Sequence, residues 1–198
     1  PKSFYQRYGI ERTFVVDGSA LTIGEVKLEE GFAILGGKEM KVALEGAASW
    51  LGYGRTRGAS RDVPEGEQLD GKVAVVAIKG PRGRVREDLS VEQKFGMSFG
   101  VLGSLGRTAR NLAKVGAEAV VFVQSSDKFG LSDVLNYVAL SPGKASVTPN
   151  FPGADRSMAM MSRLARSGGV PTIVLSTSAS AQALAALGVD PEAFAAFL

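Results

Sequence analysis

The sequence predicts a mixed α+β fold, and three observations support this class. Residues 1–50 contain short β-rich segments separated by glycine, at 13–16, 21–23 and 40–44. Residues 72–78 form a continuous apolar run, which is typical of a strand buried on both faces. A helical spacing of apolar residues follows, and a second apolar run begins directly after it. This order predicts a strand–helix–strand crossover.

The helix of this crossover is predicted over residues 101–115. Gly116 suits the position just after a helix, and Lys114 suits its last turn. The second buried strand is expected over 118–123. One face of the helix carries the apolar residues Val101, Leu102, Leu105, Ala109, Leu112 and Ala113.

The C-terminal region predicts a third buried strand over 171–175 and a helix over 178–187 that Gly188 ends. Asp190 is expected to cap a last helix with Pro191 at its first position. Two segments stay open: 131–140 fits a helix or an irregular excursion, and 158–166 fits a helix or a strand.

Two residue types are absent from the 198-residue sequence, cysteine and histidine. Without cysteine the chain forms no disulfide and offers no thiolate nucleophile or ligand. Without histidine it lacks the usual general base and the commonest metal ligand, which excludes Ser-His-Asp triads, H-E-x-x-H zinc sites and phosphohistidine carriers. The carboxylates are scattered and show no calcium-loop spacing. These absences predict a chain without catalytic residues, metal or cofactor of its own.

Length and charge limit the number of domains and the kinds of partner that the chain can have. At roughly 150 residues per domain, 198 residues suit one compact unit. A net charge of +3 and a pI near 9.2 are a mild excess that does not indicate nucleic acid. No segment approaches the roughly 18 apolar residues of a membrane span. The sequence opens on Pro1, and we expect it to be a piece of a longer protein.

Residues 96–100, GMSFG, match the G-x-S-x-G pattern on which α/β-hydrolases present a catalytic serine, here Ser98. That elbow follows a buried strand and needs a histidine within reach. Residues 90–94 are polar, the chain has no histidine, and Lys94 alone is no evidence for a lysine base. We therefore interpret the segment as a glycine-flanked approach to the predicted helix.

Two other glycine patterns imitate nucleotide-binding loops. Residues 66–73 approach G-x-x-x-x-G-K-[ST], but Val73 replaces the hydroxyl that holds Mg²⁺, and the glycines precede a strand instead of following one. A tight turn at Asp70-Gly71 explains them better. Residues 100–106 lack the G-x-G-x-x-G spacing and do not closely follow a strand. They favour a closely packed helix start.

Arginine-rich loops are the candidate interaction surface. One polar loop spans 55–70, and a second begins after Pro81 and carries alternating arginines. No aromatic residues interleave these arginines for base stacking, so solvated loops are favoured over a nucleic-acid site. Because recognition residues concentrate on loops held by a rigid scaffold, five residues are candidates: Tyr53, Arg55, Arg57, Arg82 and Arg84.

Four segments, in this order, resemble the protease-associated (PA) domain family: SWLGYGR (49–55), LDGKVAVVAIKGP (69–81), RNLAKVGAEAVVFVQ (110–124) and VPTIVLSTSASAQAL (170–184). They correspond to a G-Y-G strand end, a G-K-V-V-V-type strand, an A-x-x-G-A-x-A-V-type helix-to-strand join and P-T-I-x-x-S before a helix. The resemblance covers roughly residues 40–188. Trp50 and the long 125–169 stretch depart from the usual pattern.

The resemblance implies a swivelling β/β/α fold, with a curved sheet or open β-barrel flanked by helices. It divides the chain into leading β segments over 1–39 and a PA domain over 40–198. The leading SFYQRYGIER resembles the entry to the PA insertion of zinc aminopeptidases of the transferrin-receptor/glutamate-carboxypeptidase type. This implies a catalytic domain in the same parent chain, with zinc only there, and a peptide or protein substrate.

By resemblance, the chain would cover the active-site cleft of a bacterial metallopeptidase and influence substrate access or protein interaction. Such a parent is expected to be secreted, periplasmic or in the cell envelope. The alternative is a free-standing PA-type module that binds a peptide or sorting determinant. Zinc ligands encoded beyond Leu198 favour the first hypothesis, and a transmembrane helix there favours the second. A carrier or dehydratase domain with a swivelling fold is disfavoured because phosphohistidine carriers need a histidine.

Overall fold

The computed structural model describes residues 9–14, 20–35, 46–79, 90–125, 131, 135, 139–140, 145–150, 169–190 and 193–194. Its elements, in chain order, are β1 (Gly9–Phe14), β2 (Leu21–Ile23), β3 (Val26–Leu28), β4 (Phe32–Leu35), β5 (Ala47–Trp50), β6 (Lys72–Ala77), α1 (Val91–Ala113), β7 (Ala119–Val123), β8 (Ala139–Leu140), β9 (Ala145–Asn150), β10 (Thr172–Leu175) and α2 (Thr177–Ala186).

A six-stranded mixed sheet in the order β5-β6-β7-β10-β4-β8 forms the centre of the fold. Strands β5, β6, β7 and β10 run parallel to one another, and β4 and β8 add antiparallel pairs at one side. Two smaller antiparallel pairs accompany it, β1 with β9 and β2 with β3. The predicted mixed α+β class is confirmed.

Helices cover both faces of this sheet, which explains why its central strands are apolar throughout. In β6, Ala74 and Val76 belong to the core cluster that contains the residues of α1, whereas Val75 and Ala77 belong to the cluster that contains the residues of α2. The alternation follows from the two-residue period of a strand, which sends successive side chains to opposite faces. Buried parallel strands therefore lack the polar–apolar alternation of a half-exposed strand.

Helix α1 begins ten residues before its predicted start, so the prediction of a helix over 101–115 was wrong at this end. The serine at its N-cap explains the difference: Ser90 accepts from the backbone N–H of Gln93, and the Gln93 side chain accepts from the backbone N–H of Ser90. This capping box satisfies two amide groups that a helix start leaves without partners. Gly96 and Gly100 then lie in exposed helix positions, where a missing side chain removes no packing.

The C-terminal half of α1 packs as its apolar spacing predicts. Val101, Leu102, Leu105, Ala109 and Leu112 are all buried, although Ala113 is only partly so. The chain then reverses into β7, which pairs in parallel with β6. The predicted strand–helix–strand order is confirmed, as is the third buried strand, β10.

Helix α2 follows β10 directly and packs on the other face of the sheet. Ser176 caps it by accepting from the backbone N–H of Ala179, and Gly188 follows its end with φ of +69°. The buried Ser180 hydroxyl accepts from the backbone N–H of Gln124 at 2.9 Å, which ties this helix to the end of β7. Beyond α2, the backbone N–H of Phe194 donates to the carbonyl of Asp190, as in the first turn of a helix.

The leading segment shares the core with the rest of the chain. Strand β4 lies between β10 and β8 inside the six-stranded sheet, and Ile23 and Leu28 of the β2–β3 pair join the core cluster of α2. In the open segment 131–140, Leu131 and Leu135 are helical and buried, whereas Ala139–Leu140 is a strand. The strand predicted at 40–44 and the open segment 158–166 lie outside the described residues.

No helix among the described residues combines the length and the apolar character that crossing a membrane requires.

Candidate binding pocket

A pocket of about 240 Å³ opens at the carboxyl ends of β5, β6 and β7. Ligands of open α/β sheets bind in this position, because loops and helix surfaces converge where parallel strands end. The buried side chains of Leu105 and Phe122 form its apolar floor, and Ala77 of β6 also lines it. Its volume is below the roughly 300–1,000 Å³ of sites for drug-sized molecules, so it suits a group the size of one or two amino-acid residues.

The segment Gly52-Tyr53-Gly54 forms one side of the pocket and is fixed by the sheet. The Ala77 N–H donates to the Gly52 carbonyl at 2.7 Å, and the Gly54 N–H donates to the Leu51 carbonyl at 2.7 Å. Gly54 has φ of +66°, a region that strongly favours glycine. A Cβ there would lie 2.9 Å from Val76 Cγ1 and 3.1 Å from both Leu112 Cδ1 and Thr108 Cγ2. Glycine at this position thus brings the loop into close contact with α1.

Asp62 fixes the next part of the loop through Arg55. Its carboxylate accepts from Arg55 Nη2 at 2.9 Å, from Nε at 3.0 Å and from the backbone N–H of Arg55 at 2.9 Å. The Arg55 carbonyl accepts in turn from the N–H groups of Asp62 and Val63. Val63 is buried in the core beneath. Residues 55–63 therefore form a closed loop whose base is held in one geometry.

This arrangement shifts the ionisation of both partners. Burial raises the pKa of Asp62, but the hydrogen bonds and positive charge of Arg55, with a further bond from the Tyr53 backbone, outweigh it and lower that pKa below 3.8. The hydrogen bond to Asp62 raises the pKa of Arg55 above its ordinary value. Both groups are charged near neutral pH, and Asp62 neutralises Arg55.

Three polar side chains of α1 line the opposite side of the pocket: Ser104, Thr108 and Asn111. They are spaced four and three residues apart, and therefore share one helix face. The Ser104 hydroxyl donates to the Val101 carbonyl at 2.7 Å, which leaves its oxygen to accept from a ligand. The Asn111 amide is exposed and has both donor and acceptor groups.

In the described part of the chain, the charged residues that line the pocket are cationic: Arg55, Arg57 and Lys79. Arg55 is neutralised by Asp62, whereas Arg57 and Lys79 have no carboxylate within 4.0 Å among the described residues. Arg55 Cζ and Lys79 Nζ lie 5.6 and 5.7 Å from the centroid of the Tyr53 ring, within the range of cation–π attraction. The ring thus helps to hold Lys79 at the rim.

No model of a protein family, curated protein or solved structure matches this chain. Its function is therefore inferred from its own residues.

Three of the five residues named from sequence lie together at this pocket, Tyr53, Arg55 and Arg57. Arg82 and Arg84 lie outside the described residues. Sequence reasoning missed Lys79 and the polar face of α1. The spacing of Ser104, Thr108 and Asn111 was a signal that could have found that face, whereas Lys79 stood directly after a buried strand with nothing else to distinguish it.

The catalytic-looking motifs have different surroundings from those their patterns require. Ser98 lies inside α1 and is 1% exposed, so it does not occupy a sharp turn between a strand and a helix. The turn predicted at Asp70-Gly71 is confirmed by a hydrogen bond from the Lys72 N–H to the Leu69 carbonyl at 2.9 Å, just before β6. Residues 100–106 lie within α1 and not at its start, which corrects that interpretation.

Metal-ligating side chains do not cluster in the part of the chain that is described: no group of three or more Asp and Glu residues there could hold an ion. The residues of the pocket offer cationic, hydroxyl, amide and aromatic groups. This chemistry suits the binding of an anionic or polar group and not the coordination of a cation.

Proposed function

We propose that this chain is a non-catalytic recognition module of the protease-associated type that serves a zinc-dependent aminopeptidase and helps to bind its peptide substrate. The observation that carries the proposal is the pocket between the Tyr53–Arg57 loop and α1. It combines an apolar floor with cationic and hydrogen-bonding walls. A peptide offers the complementary groups, namely apolar side chains, carboxylates and backbone amides.

The positions of the four PA-like segments support this proposal. The G-Y-G segment ends β5 and forms a pocket wall, and the segment over 69–81 contains the turn into β6. The segment over 110–124 joins α1 to β7 through Gly116, and the segment over 170–184 supplies β10 and the start of α2. Each segment therefore lies at a junction between elements, where its glycines, proline and serine have a defined structural role.

Rigidity of the pocket also supports a recognition role. The carboxyl ends of the strands and the Arg55–Asp62 pair hold its walls before any ligand arrives. A preformed site loses less conformational entropy on binding than a loop that must order itself. Zinc, which the proposal assigns to the catalytic domain, has no part in this pocket.

A free-standing binding module is the second candidate. The specific observation in its favour is that Arg57, Lys79 and Asn111 are exposed at the pocket, where a peptide from another protein can reach them. Kinetics distinguish the two candidates. Substitution of a pocket residue changes the rate of peptide hydrolysis only if the chain serves a peptidase.

Steady-state kinetics of the full polypeptide encoded by the gene, supplied with zinc, test the proposal. In an Arg57→Gln variant, KM for a peptide of four or more residues should rise roughly twofold to fivefold, as expected for the loss of one exposed charged contact. The value of kcat should stay unchanged because uniform binding is lost and no chemical step is altered. The control variant is Lys27→Gln, which removes one positive charge from an exposed position of β3, a strand that packs with α2 on the opposite side of the sheet.

Two results would contradict the proposal. One is turnover of an aminoacyl-p-nitroanilide by the isolated 198-residue chain that is abolished by changing one of its own side chains. The other is a full polypeptide that hydrolyses no peptide. The second result, combined with peptide binding by the isolated chain, would favour the free-standing module.

A further inference from the structure

We infer that the pocket binds a carboxylate of its peptide ligand between Arg57 and Lys79. This inference rests on the proposed peptide recognition and deepens it by naming the chemical class of the ligand. The ligand is a peptide that carries an acidic side chain or a free C-terminal carboxylate at the bound residue.

The described lining of the pocket is positively charged. Among the described residues, those that line the pocket include three cations and no carboxylate, and Asp62 satisfies only Arg55. Arg57 and Lys79 therefore give the pocket a net positive field. Low-dielectric walls concentrate such a field inside a cleft, which attracts a group of opposite charge.

Hydrogen bonds hold the backbone next to each of the two cations. Lys79 follows β6 closely, since the Ile78 N–H still donates to the Val123 carbonyl at 2.9 Å, and its ammonium group also lies near the Tyr53 ring. Arg57 lies two residues after Arg55, whose backbone N–H and guanidinium both donate to Asp62. Each cation thus lies within two residues of backbone that is held by hydrogen bonds. Arg57 presents a planar fork of donors that matches a planar carboxylate, and Lys79 adds a point charge.

The rest of the lining explains why the anion belongs to a peptide. A bare inorganic anion gains nothing from the apolar floor of Leu105 and Phe122. A carboxylate carried on methylene groups buries those groups against that floor. Asn111 and Thr108 then offer hydrogen bonds to the amide groups of an adjoining backbone.

Arg55 acts as a positioning residue in this arrangement. Its guanidinium is engaged by Asp62 on two nitrogens and lies over Tyr53, so it orders the loop and the ring. Direct ligand contact is assigned to Arg57 and Lys79. Binding experiments distinguish the two roles. Substitution of the positioning residue Arg55 weakens the binding of every peptide. Substitution of Arg57 or Lys79 weakens the binding of acidic peptides only.

Calorimetric titration of the purified chain with three acetylated tetrapeptides tests the inference. The first ends in glutamate amide, the second in glutamine amide, and the third in glutamine with a free terminal carboxylate. We expect at least one carboxylate peptide to bind fivefold or more tightly than the glutamine amide at low salt. A tighter glutamate amide assigns the side chain, and a tighter free-acid peptide assigns the terminus. Either result supports the inference.

Substitutions then locate the contact. Arg57→Gln and Lys79→Gln should each reduce the carboxylate preference at least threefold while the glutamine amide binds as before. The charge-matched control Lys27→Gln should change every affinity less than twofold. Raising the salt from about 50 to about 500 mM should weaken only the carboxylate peptides, since it screens exposed charges.

Three outcomes overturn the inference. Equal binding of all three peptides does so but leaves peptide recognition standing. Equal losses in Lys27→Gln and Arg57→Gln show that net charge and not this pocket sets the preference. Failure of every peptide to bind the folded chain overturns both this inference and the peptide recognition on which it rests.

Discussion

Arg55 and Asp62 are joined by three hydrogen bonds from one residue to one carboxylate, at 2.9, 3.0 and 2.9 Å, and one of the donors is the backbone N–H of Arg55. The Asp62 side chain is 14% exposed, so the pair is partly shielded from water. Surface ion pairs contribute little, but a shielded bidentate pair with an additional backbone bond contributes more. This pair therefore stabilises the pocket loop as well as the fold.

Replacement of Asp62 by asparagine should lower the free energy of unfolding by about 1–3 kcal/mol at neutral pH, since charge-assisted hydrogen bonds to a partly buried group are lost. The pKa of Asp62 is lowered on folding, so its stabilisation is fully present above the ordinary value of 3.8 and is lost as the pH falls through the lower folded value. Urea denaturation from neutral to acidic pH measures this dependence.

The control for this prediction is Glu65→Gln, which breaks the exposed pair of Arg61 and Glu65. It should change the free energy of unfolding by less than about 0.5 kcal/mol. An Asp62→Asn variant that loses stability equally at all pH values, or no more than this control, would contradict the role given to the pair.

The close contact between Gly54 and α1 is tested by Gly54→Ala. The new Cβ would press on Val76, Leu112 and Thr108, and we expect a loss of about 1–3 kcal/mol beyond the backbone strain. Gly58→Ala is the matched control, because Gly58 also has positive φ, +90°, but nothing lies within 4 Å of its Cβ position. Chemical denaturation of both variants measures the difference, and equal losses would show that the contact is unimportant.

The end of α1 is tested by Gly116→Ala, with Gly188→Ala as the matched control at the end of α2. Both glycines have positive φ, +93° and +69°, but only at Gly116 would a Cβ meet a neighbour: the Asp70 carboxylate, which is exposed and can rotate away, and the Asp70 backbone nitrogen at 3.1 Å, which cannot. Strain alone costs of order 1–3 kcal/mol, so the control should lose that amount and Gly116→Ala clearly more. The added change Asp70→Ala should restore part of the difference. No restoration would mean that the carboxylate does not cause the collision.

The link between β7 and α2 is tested by Ser180→Ala. The change leaves the buried backbone N–H of Gln124 without its acceptor, and an unsatisfied buried donor costs about 1–3 kcal/mol. Ser178→Ala, on the exposed side of the same helix, should cost less than about 0.5 kcal/mol. Thermal or urea unfolding distinguishes the two, and amide exchange at Gln124 should accelerate only in Ser180→Ala.

The central strands were predictable from sequence because their burial leaves a local record. A strand covered on both faces must be apolar at every position, and 72–78, 118–123 and 171–175 are nearly so. Gly116 and Gly188 marked helix ends for an equally local reason, the left-handed backbone that glycine adopts most readily. The start of α1 was not predicted because Gly96 and Gly100 disfavour a helix. The capping box of Ser90 and Gln93 stabilises the helix start in spite of them.

Tyr53, Arg55 and Arg57 were named from sequence as loop residues, but no local signal joined them to Lys79 or to α1. Asp62 was visible only as one charge in a polar loop, because its pairing with Arg55 spans seven residues and depends on the path of the loop. The sequence by itself determined which segments are buried and where they end, since hydrophobic burial and backbone preferences act residue by residue. Only the tertiary structure decided which polar side chains face one another, because parallel strands bring distant residues together at one edge of the sheet.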